Sequence, residues 1–420
     1  MAIFRRPAIL HAPPRQPEFS CDPADAIALI MTLGRALLSL GSPAHRVEAA
    51  LELMASRLGL KAQFFSAPTA LFVTVDDGQQ QQTYLARVIS ASTDLGKLAE
   101  IAEVMAALEQ RQISPQQASD AVVEIYRAPS RYSRWLGFIA FPLVALPVTL
   151  LLGGGLRELM LGGVLSGIVG LLAMVMSERA SGRLLVPMSA TMTALVATVW
   201  CALDGHTAQM PALIAGMIVL LPGLDLTTAT RELATGHLVS GSARLAATAL
   251  VFATLAFGLA LGSALGQWWA GPVPDVAAQP VSIWVQGFSL VIAAIGLAIS
   301  LRVRLAQWIW VVAACFVAWG SAQLGQGQVG GSLGAFIGGV LVGLSGNAFA
   351  RFTGLPGTTM HIPGLLLLVP GSMGLRSMAA LLGADVVTGI EVAFTALLTA
   401  VALATGMITA SVLLPPRNEL

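Results

Sequence analysis

Ala212-Leu-Ile-Ala-Gly-Met-Ile-Val-Leu-Leu221-Pro222-Gly223 and Ile362-Pro-Gly-Leu-Leu-Leu-Leu-Val369-Pro370-Gly371 are apolar runs, each halted by Pro-Gly. Neither reaches the roughly 20 residues that a membrane-crossing helix needs. Proline removes a backbone donor and glycine frees the chain, so the pattern predicts a helix break at each pair. A broken helix presents carbonyl oxygens on one side and N–H groups on the other. Together these groups suit the ammonium and carboxylate of a small zwitterion.

The two runs are 148 residues apart, and that offset aligns more than the Pro-Gly pairs. Gly216 meets Gly364, Leu220 meets Leu368, Ser240-Gly241 meets Thr388-Gly389 and Gly258 meets Gly406. One Pro-Gly reads as a kink; two at matching repeat positions read as a site. A rival register, Gly-Gly-Val-Leu-x-Gly-x-x-Gly at 162–170 and 338–346, fits a small-residue packing face instead.

Hydrophobic residues make up 56% of the 420, charged residues 11%, and mean hydropathy is +0.78. That much apolar surface must face lipid, which excludes a soluble enzyme, a nucleic-acid binder and a disordered chain. Uncharged stretches, such as the 22 residues between Arg134 and Arg157 and the 20 between Asp204 and Asp225, give ten spans. The fold expected is a polytopic α-helical membrane protein of two five-helix repeats, at 135–268 and 283–414. Five is odd, so the second repeat runs inverted.

Residues 1–134 carry 13 Lys/Arg and 13 Asp/Glu, against 10 and 9 in the rest. A proline-rich tail (1–20) therefore precedes a polar α+β domain (21–130). Asp22-Pro23, Ser42-Pro43, Asp94 and Ser114-Pro115 open four helices there. Short strands are expected at 63–65, 70–75 and 83–85, with a turn at Asp77-Gly78. With this domain inside, Arg127, Arg131, Arg134, Arg179, Arg183, Arg231, Arg244, Arg302, Arg304, Arg351 and Arg417 obey the positive-inside rule. Arg157 and Arg376 fall outside. All eight Trp are expected near span ends, and both termini in the cytoplasm.

Charges inside an apolar domain are functional candidates by default. The substrate site is expected at Pro222, Gly223, Asp225, Pro370, Gly371, Ser372 and Arg376, with Arg376 pairing a carboxylate. Proton coupling is assigned to Asp225, Glu232, His237, Asp385 (the repeat partner of His237) and Glu391. Arg231, Arg244 and His237 also fit topogenic or interfacial roles.

Other chemistries find little footing. Cys21, Cys201 and Cys315 lie far apart and suggest neither disulfides nor a metal site. No cofactor is expected, and the absence of a nucleotide-binding loop points to gradient-driven exchange. Gly343-Leu-Ser345-Gly346 has the G-x-S-G form of intramembrane serine proteases. A serine nucleophile needs a histidine, and none of the five histidines is expected well inside a span. A channel or sensor is the other rival.

The chain resembles the threonine/serine exporter family. The likeness lies in Gly34-Arg35-Ala-Leu-Leu-Ser-Leu-Gly41, His45-Arg46-Val47-Glu48 and Asp94-Leu95-Gly-Lys-Leu98, then in Leu221-Pro222-Gly223, Arg231-Glu232-Leu233-Ala234 and Ser240-Gly241-Ser242-Ala243-Arg244. It continues through Gly346-Asn347-Ala-Phe-Ala-Arg351, Val369-Pro370-Gly371-Ser372 and the Gly389 segment. The resemblance implies a ten-span carrier of the bacterial inner membrane that exports small hydrophilic amino acids against protons. Relatives built as two chains resemble dicarboxylate exporters, which makes succinate-like substrates the alternative. The implied partners are a small amino acid, protons and the lipid bilayer. Nucleic acid is excluded, and homo-oligomers are compatible with the sequence.

Overall fold

The computed structural model describes residues 22–76, 80–89, 93–176, 184–328, 331–383 and 385–416. These form two compact units, one of residues 22–89 with Glu100–Ala128, the other of Thr93–Ala99 with the chain from Pro129 onward.

The first unit holds α1 (Pro23–Ser39), α2 (Ala44–Arg57), strands β1 (Lys61–Ala67), β2 (Ala70–Asp76) and β3 (Gln81–Arg87), most of α3 (Leu95–Glu109), and α4 (Pro115–Arg127). The sheet is antiparallel in the order β1-β2-β3. Asp22 caps α1 by accepting from the Ala24 N–H, and Ser114 and Gln117 close a reciprocal capping box on α4. Gly41 (φ 87°) and Gly59 (φ 72°) follow the ends of α1 and α2 in the left-handed region that side chains avoid. Leu29, Ile30, Leu33, Leu51 and Leu71 are fully buried. Glu48 accepts from the Ser66 N–H at 2.6 Å and the Ser66 hydroxyl at 2.8 Å, fastening α2 to β1. The Asp77-Gly78 turn lies outside the described residues.

The first residues of α3 belong to the second unit. The Leu95 N–H donates to the Leu301 carbonyl at 2.9 Å, and Arg302 reaches the Asp94 carboxylate at 3.5 Å. A side chain at Gly96 would strike the Arg302 carbonyl, 2.5 Å from its Cβ position.

The rest of that unit is helical: α5 (Arg134–Leu151), α6 (Leu156–Met176), α7 (Leu185–Asp204), α8 (Gln209–Gly216), α9 (Gly223–Ala234), α10 (Leu238–Ala270), α11 (Ile283–Ser300), α12 (Trp308–Gln328), α13 (Gly331–Thr353), α14 (Thr358–Leu368), α15 (Gly371–Leu382) and α16 (Val386–Leu413). Among the described residues nine helices are long and apolar enough to cross a bilayer. Counting the bent α8–α9 pair as one more span gives ten. This is a multi-pass membrane protein. Arg179, Arg183 and Arg417 lie outside the described residues.

Glycine sets how closely the long helices approach. Gly258, Gly262 and Gly266 of α10 press against α7, where a Cβ at Gly258 would stand 2.6 Å from that of Ala190. Gly406 of α16 meets the α13 backbone in the same way, and Gly343 of α13 meets Ala410. Small residues are what let helices pack in lipid, where no hydrophobic effect drives them together. Trp319 lies midway along α12, which runs on to Gln328, and its indole packs on Gly287, five residues into α11.

Candidate substrate site at the paired helix breaks

The two Pro-Gly breaks meet. A Cβ placed on Gly223 would lie 3.0 Å from both Cα and N of Gly371 and would overlap Val369; one placed on Gly371 would lie 3.3 Å from the Leu221 Cβ. Two glycines thus bring the backbones into direct apposition. Pro222 and Pro370 are the residues before α9 and α15, and neither helix start receives a side-chain cap. Among the described residues the first three N–H groups of both helices are therefore without intrahelical or side-chain acceptors, at the positive ends of their dipoles.

The breaks differ in shape. The first is preceded by a 53° bend at Met217, between Gln209–Gly216 and the segment Ile218–Ala234 that carries the 3-10 turn Ile218–Leu220 and Pro222. The second steps from α14 to α15 through Val369-Pro370 alone, and Thr358–Leu381 passes as one span.

α9 and α15 each pack on the helix that follows them and also reach into the core of the other half. Leu375 of α15 joins the core formed by Leu161, Leu165, Phe252 and Leu259, while Leu224 of α9 packs with Val342, Leu365, Leu403 and Met407. Gly374 allows α15 to close on Phe252, 2.5 Å from its Cβ position. The Thr230 hydroxyl lies 3.4 Å from the Ala400 carbonyl of α16.

Next to the first break is an ion-pair cluster. Arg244 of α10 bonds Glu232 through Nε (3.2 Å) and Nη2 (3.3 Å), and reaches Asp225 through Nη1 (3.2 Å). Ser240 also donates to Glu232, at 2.9 Å. Glu232 is completely buried and Asp225 exposed. Arg244 and Ser240 were absent from the expected site, yet the turn at Gly236 encodes them. Glu232 and Ser240 stand four residues to either side of it on antiparallel helices, and Arg244 is one turn further.

The remaining candidates scatter. Ser372 is half-buried in the first turn of α15, and Arg376 is exposed without an ion pair among the described residues. Asp385 caps α16 by accepting from the Thr388 N–H, and His237 precedes α10 with Nδ1 3.1 Å from the Thr235 hydroxyl. Glu391 is exposed on α16. The Arg231 Nε is buried with no hydrogen-bond partner among the described residues.

His361 is the fourth residue of the span Thr358–Leu381, in its first turn. It is buried in α14 against Gly346, with Nε2 3.1 Å from the Gly343 carbonyl. The Ser345 hydroxyl donates to its own helix, at Val342. A cavity of about 310 Å³, lined by Tyr132, Arg134, Phe138, Ser300 and Arg302 among others, reaches Val219 just ahead of the first break.

Residues 28–266 match the profile of the threonine/serine exporter family, and residues 286–413 match a second profile described as "Threonine/Serine exporter, ThrE". The chain belongs to the threonine/serine exporter family. It is 23% identical over 388 residues to an uncharacterized protein of Schizosaccharomyces pombe, covering 87% of this chain and 49% of that one. It is also similar to pheromone-regulated membrane protein 10 of Eremothecium gossypii (26%, 83% of this chain, 48% of that one) and of Debaryomyces hansenii (24%, 83% and 36%). The chain thus spans about half or less of the length of these relatives. No solved structure matches it.

Proposed function

We propose that this exporter-family chain is a secondary active carrier moving threonine and serine out of the cell in exchange for protons. The observation that supports this best is the apposition of Gly223 and Gly371 at two uncapped helix starts. Substrate carboxylate would sit at the N–H groups opening α9 and α15, and the ammonium at the carbonyls ending the preceding segments. Asp225 and Glu232 of α9, with Arg244 of α10, form a charge cluster within three turns of the first break, suited to trading a proton for an ion pair. The cavity ending at Val219 would be the approach from the Arg134 side. In this reading the halves are inverted repeats in a bacterial inner membrane, ten spans in all, with the polar unit and both termini in the cytoplasm.

Uptake into inverted membrane vesicles tests the reading. Labelled threonine or serine should accumulate only with an imposed proton gradient. Gly223→Leu should abolish accumulation while inserting normally, and normal transport by that variant would sink the site. The buried, unpartnered Arg231 Nε favours a second reading, a dicarboxylate substrate. Gradient-dependent uptake of succinate alone would select it.

A further inference from the structure

The polar unit contains a cavity unrelated to the helix breaks. It measures about 230 Å³ and is lined by Thr32, Arg35 and Ser39 of α1, by Arg87 with Val88 and Ile89 at the end of β3, and by Tyr126 and Arg127 of α4. Residues 32, 35, 36 and 39 recur at one-turn spacing, so α1 turns a single stripe toward it, and 123, 126 and 127 do the same for α4. Three guanidinium groups from three separate elements therefore face one concavity. No carboxylate is among its lining residues, and among the described residues none of the three arginines makes an ion pair.

Clustered like charge without a counter-charge is unfavourable, so something must balance it. The ordinary explanation is a pair of helix C-termini: Ser39 ends α1 and Arg127 ends α4. Each helix end carries about half a negative charge, so the two offset roughly one of the three positive charges. About two remain.

We infer that this cavity binds a small dianion bearing a phosphate group. Arginine forks match phosphate oxygens, and donors arriving from three directions suit a tetrahedral anion with several terminal oxygens better than a planar carboxylate. The Thr32 hydroxyl, which accepts from Ser119 at 3.4 Å, keeps its own proton to donate, whereas that of Ser39 is given to the Ala36 carbonyl. The phosphate comes either from a soluble monoester or from an anionic lipid headgroup; Ile89, 82% exposed at the rim, is compatible with either. The site is independent of the transport reading.

The test is calorimetric titration of the full chain in phosphatidylcholine nanodiscs with inorganic phosphate, at constant ionic strength. Phosphate should bind, and Arg35→Gln/Arg87→Gln should weaken it by roughly ten-fold or more per arginine. Lys61→Gln, an exposed change elsewhere on the unit, should leave it alone, and an unchanged melting temperature without phosphate establishes that the double variant is folded. Nanodiscs containing phosphatidic acid separate the sources. Phosphate affinity unchanged there indicates a soluble ligand, and a ten-fold weaker apparent affinity indicates that the lipid headgroup occupies the cavity. Equal binding by wild type and double variant would overturn the proposal, as would succinate binding as tightly as phosphate.

Discussion

Arg244 holds Glu232 with two of its nitrogens, Nε at 3.2 Å and Nη2 at 3.3 Å, across the turn that joins α9 to α10. Glu232 has no exposure to solvent, so each charge depends on the other. Removing one partner of such a buried pair typically costs about 3–5 kcal/mol, whereas replacing both by neutral groups costs much less. Glu232→Gln and Arg244→Gln should therefore each lower the melting temperature in detergent sharply. The double variant should recover a substantial part of the loss. Additive losses would mean that the pair is not coupled.

The glycines at the breaks are unequal. A methyl group on Gly223 overlaps Val369 and crowds the Gly371 backbone, while one on Gly371 finds its first neighbour at 3.3 Å. Gly223→Ala should abolish transport in vesicles at normal expression, and Gly371→Ala should retain most of it. Val369→Ala should partly rescue Gly223→Ala by removing the side chain that is struck.

A third expectation concerns packing of the long helices. Gly258→Ala and Gly406→Ala, 148 residues apart, both force apart a helix pair and should each destabilise by about 1–3 kcal/mol, the usual cost of overpacking. Gly167→Ala meets nothing within 4 Å and should leave the melting temperature essentially unchanged.

Inversion of the two halves has its own test. Thr235 and Gly383 are 148 apart and both exposed at helix ends. In a background with Cys21, Cys201 and Cys315 replaced by serine, Thr235→Cys and Gly383→Cys should react with an impermeant maleimide from opposite faces. Labelling from the same face would rule out the inverted arrangement.

Much of the fold could be read from residue types because lipid enforces it. Apolar runs and Pro-Gly pairs are local signals, and the starts of α9 and α15 fall at Gly223 and Gly371 as the motif predicts. Chain-distant relationships were not legible. The repeat put both Pro-Gly pairs in one expected site, but nothing along the sequence announces that their backbones touch, that Leu375 and Leu224 cross into the opposite cores, or that Arg302 receives Asp94. Arg244 was hidden for another reason: an arginine near a span end fits the positive-inside rule so well that its pairing goes unnoticed. Asp385 was the converse case, an acid in an apolar stretch whose carboxylate caps a helix. The 53° bend falls at Met217, ahead of the Pro-Gly pair, where an unbroken apolar run from Met217 to Leu221 reads as ordinary helix.

A joint between two glycine backbones has no rotamers to rearrange. Where α9 and α15 begin, Gly223 and Gly371 face each other without an interlocking side chain of their own, while Leu224 beside the one and Leu375 one turn beyond the other reach into the opposite cores. The contact thus has the properties of a bearing: close enough to transmit force, smooth enough for one backbone to roll over the other. Enlarging the Gly223 surface adds friction as well as bulk, so substitutions there should stop turnover before they unfold the protein.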